Sequence, residues 1–325
     1  MISANLIRSM IFLLLLSACY PLSVTRMKWR IHWDRDLKKG KKEYLQTSER
    51  EGKENPPNIV VILVDDLGKY EVSAYGAKHI STPNIDRIGQ EGVIFSEGYV
   101  TAPTCAPSRA GIMTGRVQNR YGFETQIMEF YPTNMIEYLS GKYFVHTGEF
   151  VMKAKPDFPA EWQVQKQGVP PTEINLAEAM KTLDYYNGNI GKWHLGVSHN
   201  HVPLKRGFDY HYGFLGASTL YTPERRASHV INHEHQSFSA QYQWNTGRHG
   251  EAAIHEMGKE IREEQYLTFA IRDKAIKFLE ENKYTSFFLY CTFSAPHVPF
   301  QAPVEYYCMY DHVEDDNKRV YYAMI

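Results

Sequence analysis

From position 58 onward the apolar residues follow two rhythms. NIVVILV at 58–64 is an unbroken, largely β-branched run, the pattern of a central strand buried on both faces. Thr82 and Pro83 mark a helix start, with Thr82 as cap and Pro83 at the first position. Ile85 and Ile88 supply the apolar spacing, and Gly92 follows the end. VIFSEGY at 93–99 reads as another strand. Farther on, the segment 263–282 places Leu267, Ile271, Ala275, Phe278 and Leu279 on one helical stripe, and SFFLYCTF at 286–293 is again a buried strand. Strands alternating with helices predict an α/β fold around a largely parallel sheet. In such folds the chemistry gathers beyond the carboxyl ends of the strands.

The chain ahead of position 58 has a different texture. Arg8 precedes MIFLLLLSA at 10–18, a run too short to cross a bilayer, which takes roughly 20 residues, but suited to the core of an export signal. It ends Leu16-Ser17-Ala18-Cys19, which resembles the bacterial lipobox, whose cysteine becomes the lipidated first residue of the mature protein. The alternative is an ordinary cleaved signal with a chance Cys19. Residues 1–19 are expected to be this signal. The protein is then exported, periplasmic or at the cell surface, and meets a membrane only through a lipid on Cys19. Residues 20–56 are charged, locally basic and without steady apolar periodicity, so a solvated tether is expected.

Composition narrows the class. Over 325 residues, 43% apolar and 22% charged is ordinary globular usage, which excludes disordered, collagen-like and multi-span membrane proteins. Lys plus Arg number 36 against 37 Asp plus Glu, so the net charge of -1 argues against nucleic-acid binding, which needs a basic face. Any recognition of an anion must be local. The four cysteines, at 19, 105, 291 and 308, are too scattered for a disulfide framework or a zinc ribbon. Cys291 lies in an apolar strand and reads as core. His229 and His233 are four apart, a zinc-ligand spacing on a helix, with His235 close by, but SHVINHEHQ at 228–236 has no helical pattern.

Three groups follow apparent strand ends: Asp65-Asp66, Gly191-Lys192-Trp193-His194 and Pro296-His297. Adjacent carboxylates repel unless a cation or donors neutralise them, so Asp65 and Asp66 suit a hard divalent ion; otherwise they form a solvated turn and helix cap. Alternation along a strand would put Lys192 and His194 on one face with Trp193 opposite. Pro107 and Ser108 open a helix, which sets Cys105 near its N-terminus, where unsatisfied N–H groups favour anions. Arg109 adds a planar charge suited to sulfate or phosphate oxygens. The plain alternatives are a buried structural cysteine, a solvated lysine and hydrogen-bonded core histidines at 194 and 297.

CAPSRAGIMTGR at 105–116 resembles the sulfatase signature, C-x-P-S-R followed by T-G-R. The chain is similar to formylglycine-dependent sulfatases from Asn58 to its end. The shared landmarks are NIVVILVDDLG, TPNIDRIGQEGVIFSEGYVTAPTCAPSR, GKWHLG, RGFDYHYGFLG and FFLYCTFSAPHVPFQAP, in family order. The resemblance implies an alkaline-phosphatase-like α/β fold, a mostly parallel sheet sandwiched by helices, with 57–325 as the catalytic domain. It implies that a maturation enzyme converts Cys105 to formylglycine. Hydrated, that aldehyde offers one hydroxyl to attack sulfur and a second whose deprotonation expels sulfate, a release route that Ser or Cys lacks. Asp65, Asp66 and residue 105 are then calcium ligands. Arg109 steadies the formylglycine side, Lys192 and His194 contact sulfate and the hydrated aldehyde, and His297 binds sulfate or protonates the leaving group. The implied function is a sulfuric ester hydrolase acting on a sulfated carbohydrate or aryl sulfate. The alternatives are a phosphate or phosphonate ester hydrolase of the same superfamily and an inactive, lipid-anchored binder of sulfated glycans.

The sequence also departs from the family. There, a further strand ends in Asp-Asn or a similar pair that completes the calcium shell, and a lysine and a smaller C-terminal domain follow. This chain stops at YYAMI, so an incomplete catalytic domain is expected, its C-terminal part missing and water filling the calcium shell. Asp316-Asn317 reads as a solvated turn or helix end. The segment from Phe130 to Gln167 looks like an insertion whose aromatics line a glycan pocket or pack a loop.

Overall fold

A computed structural model describes residues 35–47, 56–124, 168–197, 199–223, 228–231, 247–248 and 250–325. The expected signal with Cys19, the insertion at 130–167, His233 and His235 lie outside them. Helix α1 (Arg35–Thr47) is followed by strand β1 (Ile59–Asp65), helices α2 (Pro83–Gln90), α3 (Cys105–Thr114) and α4 (Leu176–Lys181), and strands β2 (Tyr186–Lys192) and β3 (Tyr210–Phe214). Then come β4 (His229–Ile231), the short β5 (His255–Glu256) and β6 (Lys259–Glu260), and helix α5 (Leu267–Asn282). Strands β7 (Phe287–Pro296) and β8 (Gln301–Pro303) and helices α6 (Val304–Tyr307) and α7 (Asp316–Met324) complete the described chain.

The main sheet runs β1-β7-β2-β3-β5-β6, with its first four strands parallel and the β5–β6 hairpin added antiparallel. Alternation along β7 divides the core. Phe287, Leu289 and Cys291 face a layer holding Leu267, Ile271, Ala275 and Phe278 of α5 and Val320 of α7. Phe288 and Tyr290 face the opposite layer, with Ala106, Ala110 and Met113 of α3, Ala177 of α4, Trp193 and Phe208. The sheet is thus sandwiched by helices, and β7 is mostly apolar because both its faces are covered. Cys291 is core as expected, and burial pushes its thiol up to about 12.

Three sequence expectations are corrected. β1 is an edge strand among the described residues: Ile59, Val61 and Leu63 pack inward, while Val60 and Ile62 are 44% and 54% exposed. A β-branched run marks a strand but does not say how many of its faces are covered. VIFSEGY forms no strand, and its Val93, Phe95 and Tyr99 are exposed. β-propensity is realised only against a partner strand, and among the described residues none pairs with this segment. Within the expected tether, residues 35–47 are helical, and the helix is docked. Lys41 Nζ donates to the carbonyls of Pro171 and Glu173, each at 2.9 Å, and to Glu178 Oε1 at 2.7 Å. A long-range ion pair of this kind leaves no trace in periodicity.

Candidate active site

The topology gathers the site. Because β7 lies between β1 and β2, the carboxyl ends of these three parallel strands stand side by side, carrying Asp65, His297 and Lys192. Gly191 makes the approach of β2 to β7 close enough. Its φ is +111°, and a Cβ there would meet the Thr292 carbonyl oxygen at 1.8 Å.

Lys192 Nζ donates to Asp65 Oδ2 at 2.5 Å, and Arg109 Nη2 lies 3.4 Å from Asp65 Oδ1; all three side chains are buried. Burial opposes the charge on Asp65, but Lys192 and Arg109 outweigh it and hold the carboxyl well below the usual carboxylate range. The same carboxylate, against burial, holds the Arg109 guanidinium in its charged form. Two buried cations face one buried carboxylate, so the cluster carries an excess of positive charge, which favours an anion nearby. The Lys192 carbonyl is fixed as well, accepting from Arg109 Nη1 at 2.8 Å and from Thr292 Oγ1 at 2.7 Å.

Cys105 is the first residue of α3, after Thr104 at the cap, so its side chain stands at the helix N-terminus. Its Sγ lies 3.3 Å from His194 Nδ1. His194 reaches that position through a left-handed backbone, φ +55°, because β2 ends at Lys192. Strand alternation, the expected device, is not what puts Lys192 and His194 together. Trp193 does point the other way, into the layer with Phe208. Burial, then the neighbouring Lys192, hold His194 well below the ordinary imidazole value, so it is neutral.

His297 Nδ1 lies 2.6 Å from the Val298 carbonyl, which can only accept, so Nδ1 carries the proton and Nε2 faces Asp66 Oδ2 at 3.6 Å. Burial and Lys192 depress the His297 pKa, against Asp65 and Asp66, which raise it. The Asp66 side chain is 59% exposed. A hard divalent ion fits this donor set in kind, with two carboxylates from successive residues at one strand end. It fits less well in number: among the described residues no three His, Cys, Asp or Glu side chains are grouped so that they could hold a metal.

The seven residues named from the motifs therefore form one cluster through Asp65–Lys192–Arg109, Cys105–His194 and Asp66–His297. Asp316, by contrast, starts α7, and its Oδ1 accepts from the Tyr307 hydroxyl at 2.5 Å. His229 is on a strand and stacks on Tyr266 at 5.5 Å, so the helical zinc spacing does not arise. Sequence reasoning missed two supports. Thr292 holds the Lys192 carbonyl, and the buried Tyr221 donates from its hydroxyl to the His297 carbonyl at 2.8 Å. Thr292 left a signal, a polar residue in an apolar strand; Tyr221, in a loop, left none.

Comparison with known proteins shows the family of the chain. Arylsulfatase of Hemicentrotus pulcherrimus is 28% identical over 271 residues, covering 81% of this chain and 41% of the relative. N-acetylgalactosamine-6-sulfatase of Homo sapiens is 30% identical over 254 residues, covering 77% of this chain and 41% of the relative. Among solved structures, Ps i-CgsB in complex with k-i-k-neocarrahexaose shares 31% identity at a TM-score of 0.61, covering 83% of this chain and 52% of that one. The chain thus spans about half the length, or less, of the proteins it matches. The sheet and helices described above are those of the alkaline-phosphatase-like fold of these neighbours. A family model described as Sulfatase matches residues 57–325, so the signature at Cys105 and the fold around it have one source: the chain belongs to the sulfatase family.

Proposed function

We propose that this protein, acting after export, hydrolyses sulfuric esters of a sulfated carbohydrate, with the side chain at position 105 as nucleophile in its formylglycine form. The observation that carries the reading is the buried excess of positive charge, Lys192 and Arg109 against Asp65, beside Cys105 at a helix N-terminus. The carbohydrate class rests on likeness to Ps i-CgsB, solved with a neocarrahexaose, and to N-acetylgalactosamine-6-sulfatase.

The chain's own residues divide the work. Lys192 and Arg109 attract the sulfate group and orient it by charge-assisted hydrogen bonds. The neutral His194, with Nδ1 beside the side chain at 105, takes a proton from it. His297, its Nδ1 committed to the Val298 carbonyl, exchanges protons through Nε2 and delivers one to the departing sugar oxygen. Asp65 and Asp66 would hold calcium, which when bound supplies charge for the sulfate oxygens and for the nucleophile. The depressed Asp65 pKa keeps that carboxylate ionised throughout the working pH range.

The test is production alongside a formylglycine-generating enzyme, then peptide mass spectrometry across residues 104–109. Sulfate release is assayed from a sulfated oligosaccharide and from 4-nitrophenyl sulfate, with matched phosphate monoesters alongside. The expected result is an oxidised residue 105, turnover of the sulfate esters and loss of turnover in Cys105→Ala. Turnover by protein carrying only the unmodified thiol overturns the nucleophile. A strong preference for phosphate overturns the sulfate assignment.

A further inference from the structure

Tyr321 is named by none of the motifs, yet it touches the acidic pair. Its hydroxyl donates to the carbonyl oxygen of Asp66 at 2.9 Å and accepts the N–H of Gly68 at 3.3 Å. The two bonds bridge the turn by which the chain leaves β1. Asp66 has a φ of +59° there, a left-handed conformation that residues with a side chain seldom adopt. That turn aims the Asp66 carboxylate at His297, 3.6 Å away.

The tyrosine stands on a firm base. Its neighbours on α7, Val320, Tyr322, Ala323 and Met324, are buried. Its ring meets Phe300 edge-on at 6.1 Å, and Phe300 lies just beyond His297 in the chain. One side chain therefore touches both loops of the site, the Asp66 turn through its hydroxyl and the segment after His297 through its ring.

We propose that Tyr321 is a positioning residue: its hydroxyl holds the turn in which Asp66 presents its carboxylate, and so sets the affinity of the acidic pair for a divalent cation. This rests on the reading of Asp65 and Asp66 as cation ligands. The role needs the hydroxyl and not merely the ring, which makes Tyr321→Phe the informative change. Tyr307→Phe is the control, because it removes a hydroxyl that ties α7 through Asp316 Oδ1 rather than through Asp66 or Gly68.

Two measurements on the full chain test this. Amide hydrogen exchange at Gly68 without calcium reports the turn itself, and calorimetric titration with calcium chloride alone reports the affinity. In Tyr321→Phe the Gly68 amide exchanges faster and calcium binds roughly three- to tenfold more weakly, the change expected for one hydrogen bond of ordinary net strength. In Tyr307→Phe both quantities stay at wild-type values. Unchanged exchange at Gly68, unchanged calcium affinity or an equal loss in Tyr307→Phe each overturns the role of Tyr321. Absence of calcium binding by the wild-type chain overturns the cation reading itself and the proposal with it. Thermal unfolding without calcium checks that Phe keeps the fold, and the exchange rate at Gly68 reads the turn whatever the metal does.

Discussion

Lys192 Nζ and Asp65 Oδ2 lie 2.5 Å apart although their strands are not neighbours, since β7 runs between β1 and β2. The ion pair closes over the end of β7, and Arg109 from α3 reaches the same carboxylate from the other helix layer. Charge and topology are coupled here: three elements are tied together by one carboxylate, and the tie carries a net positive charge.

Removing Lys192 therefore affects stability as well as chemistry. Lys192→Met leaves Asp65 buried with Arg109 at 3.4 Å as its remaining cation. Breaking a buried pair from one side is expected to lower the unfolding free energy by about 3 kcal/mol. Urea denaturation measures this, and the proposed ester hydrolysis is expected to be lost at the same time. A variant as stable as wild type would contradict the accounting of buried charge.

Gly191, the first glycine of GKWHLG, is a backbone requirement. Gly191→Ala places a Cβ 1.8 Å from the Thr292 carbonyl oxygen at a φ of +111°. Strain and displacement of β7 together are expected to destabilise by at least about 3 kcal/mol or to abolish soluble expression. Gly98→Ala, at a position open to solvent with no atom within 4 Å of the new Cβ, changes stability little. Denaturation midpoints of the two variants give the comparison.

The parts of the site legible in the sequence were those written as local chemistry at strand ends and in a helix start. Cys105 in the first turn of α3, the α5 stripe and the existence of strand β7 follow from spacing and polarity alone. What stayed hidden depends on which element lies beside which. The strand order that brings Asp65 to Lys192, the edge position of β1 and the left-handed turn at His194 have no periodic signature. For VIFSEGY the pattern misled, because local propensity is overruled when no partner strand lies alongside.

The docking of α1 gives a prediction that separates helix from tether. Lys41 Nζ is shared among two carbonyls and the Glu178 carboxylate, and burial lowers its pKa against the pull of Glu178. Arg206 also reaches Glu178 at 3.3 Å, so Glu178 keeps a partner when Lys41 is replaced. Lys41→Ala is thus expected to release α1 without unfolding the domain. Limited proteolysis should then cut within residues 35–47 several-fold faster, while the thermal midpoint of the remainder moves by a few degrees at most. Equal cleavage rates would mean that the helix is held by something other than Lys41.

Two buried histidines make the fold acid-sensitive in a calculable window. His201 is enclosed by Gly168 and Gly196, where any Cβ would strike its side chain, and burial followed by Arg206 lowers its pKa from 6.5 to about 4. His211 sits 2.9 Å from Asn189 Oδ1, and burial followed by His255 lowers its pKa to about 3. Both are neutral in the folded chain and take up a proton on unfolding once the pH is below 6.5. Their contribution is therefore complete above pH 6.5 and declines as the pH falls, ending at about 4 for His201 and about 3 for His211. For His201 the full loss amounts to roughly 3 kcal/mol, at 1.36 kcal/mol per pH unit. Urea midpoints taken from pH 7 down to pH 4 should fall steadily. In His201→Leu, which removes one titrating group, the slope should be shallower by up to one proton even though the variant starts lower at pH 7. A wild-type midpoint that is level across this range would show that these rings are already protonated in the fold, and with it that the close packing of Gly168 and Gly196 around His201 does not exclude water.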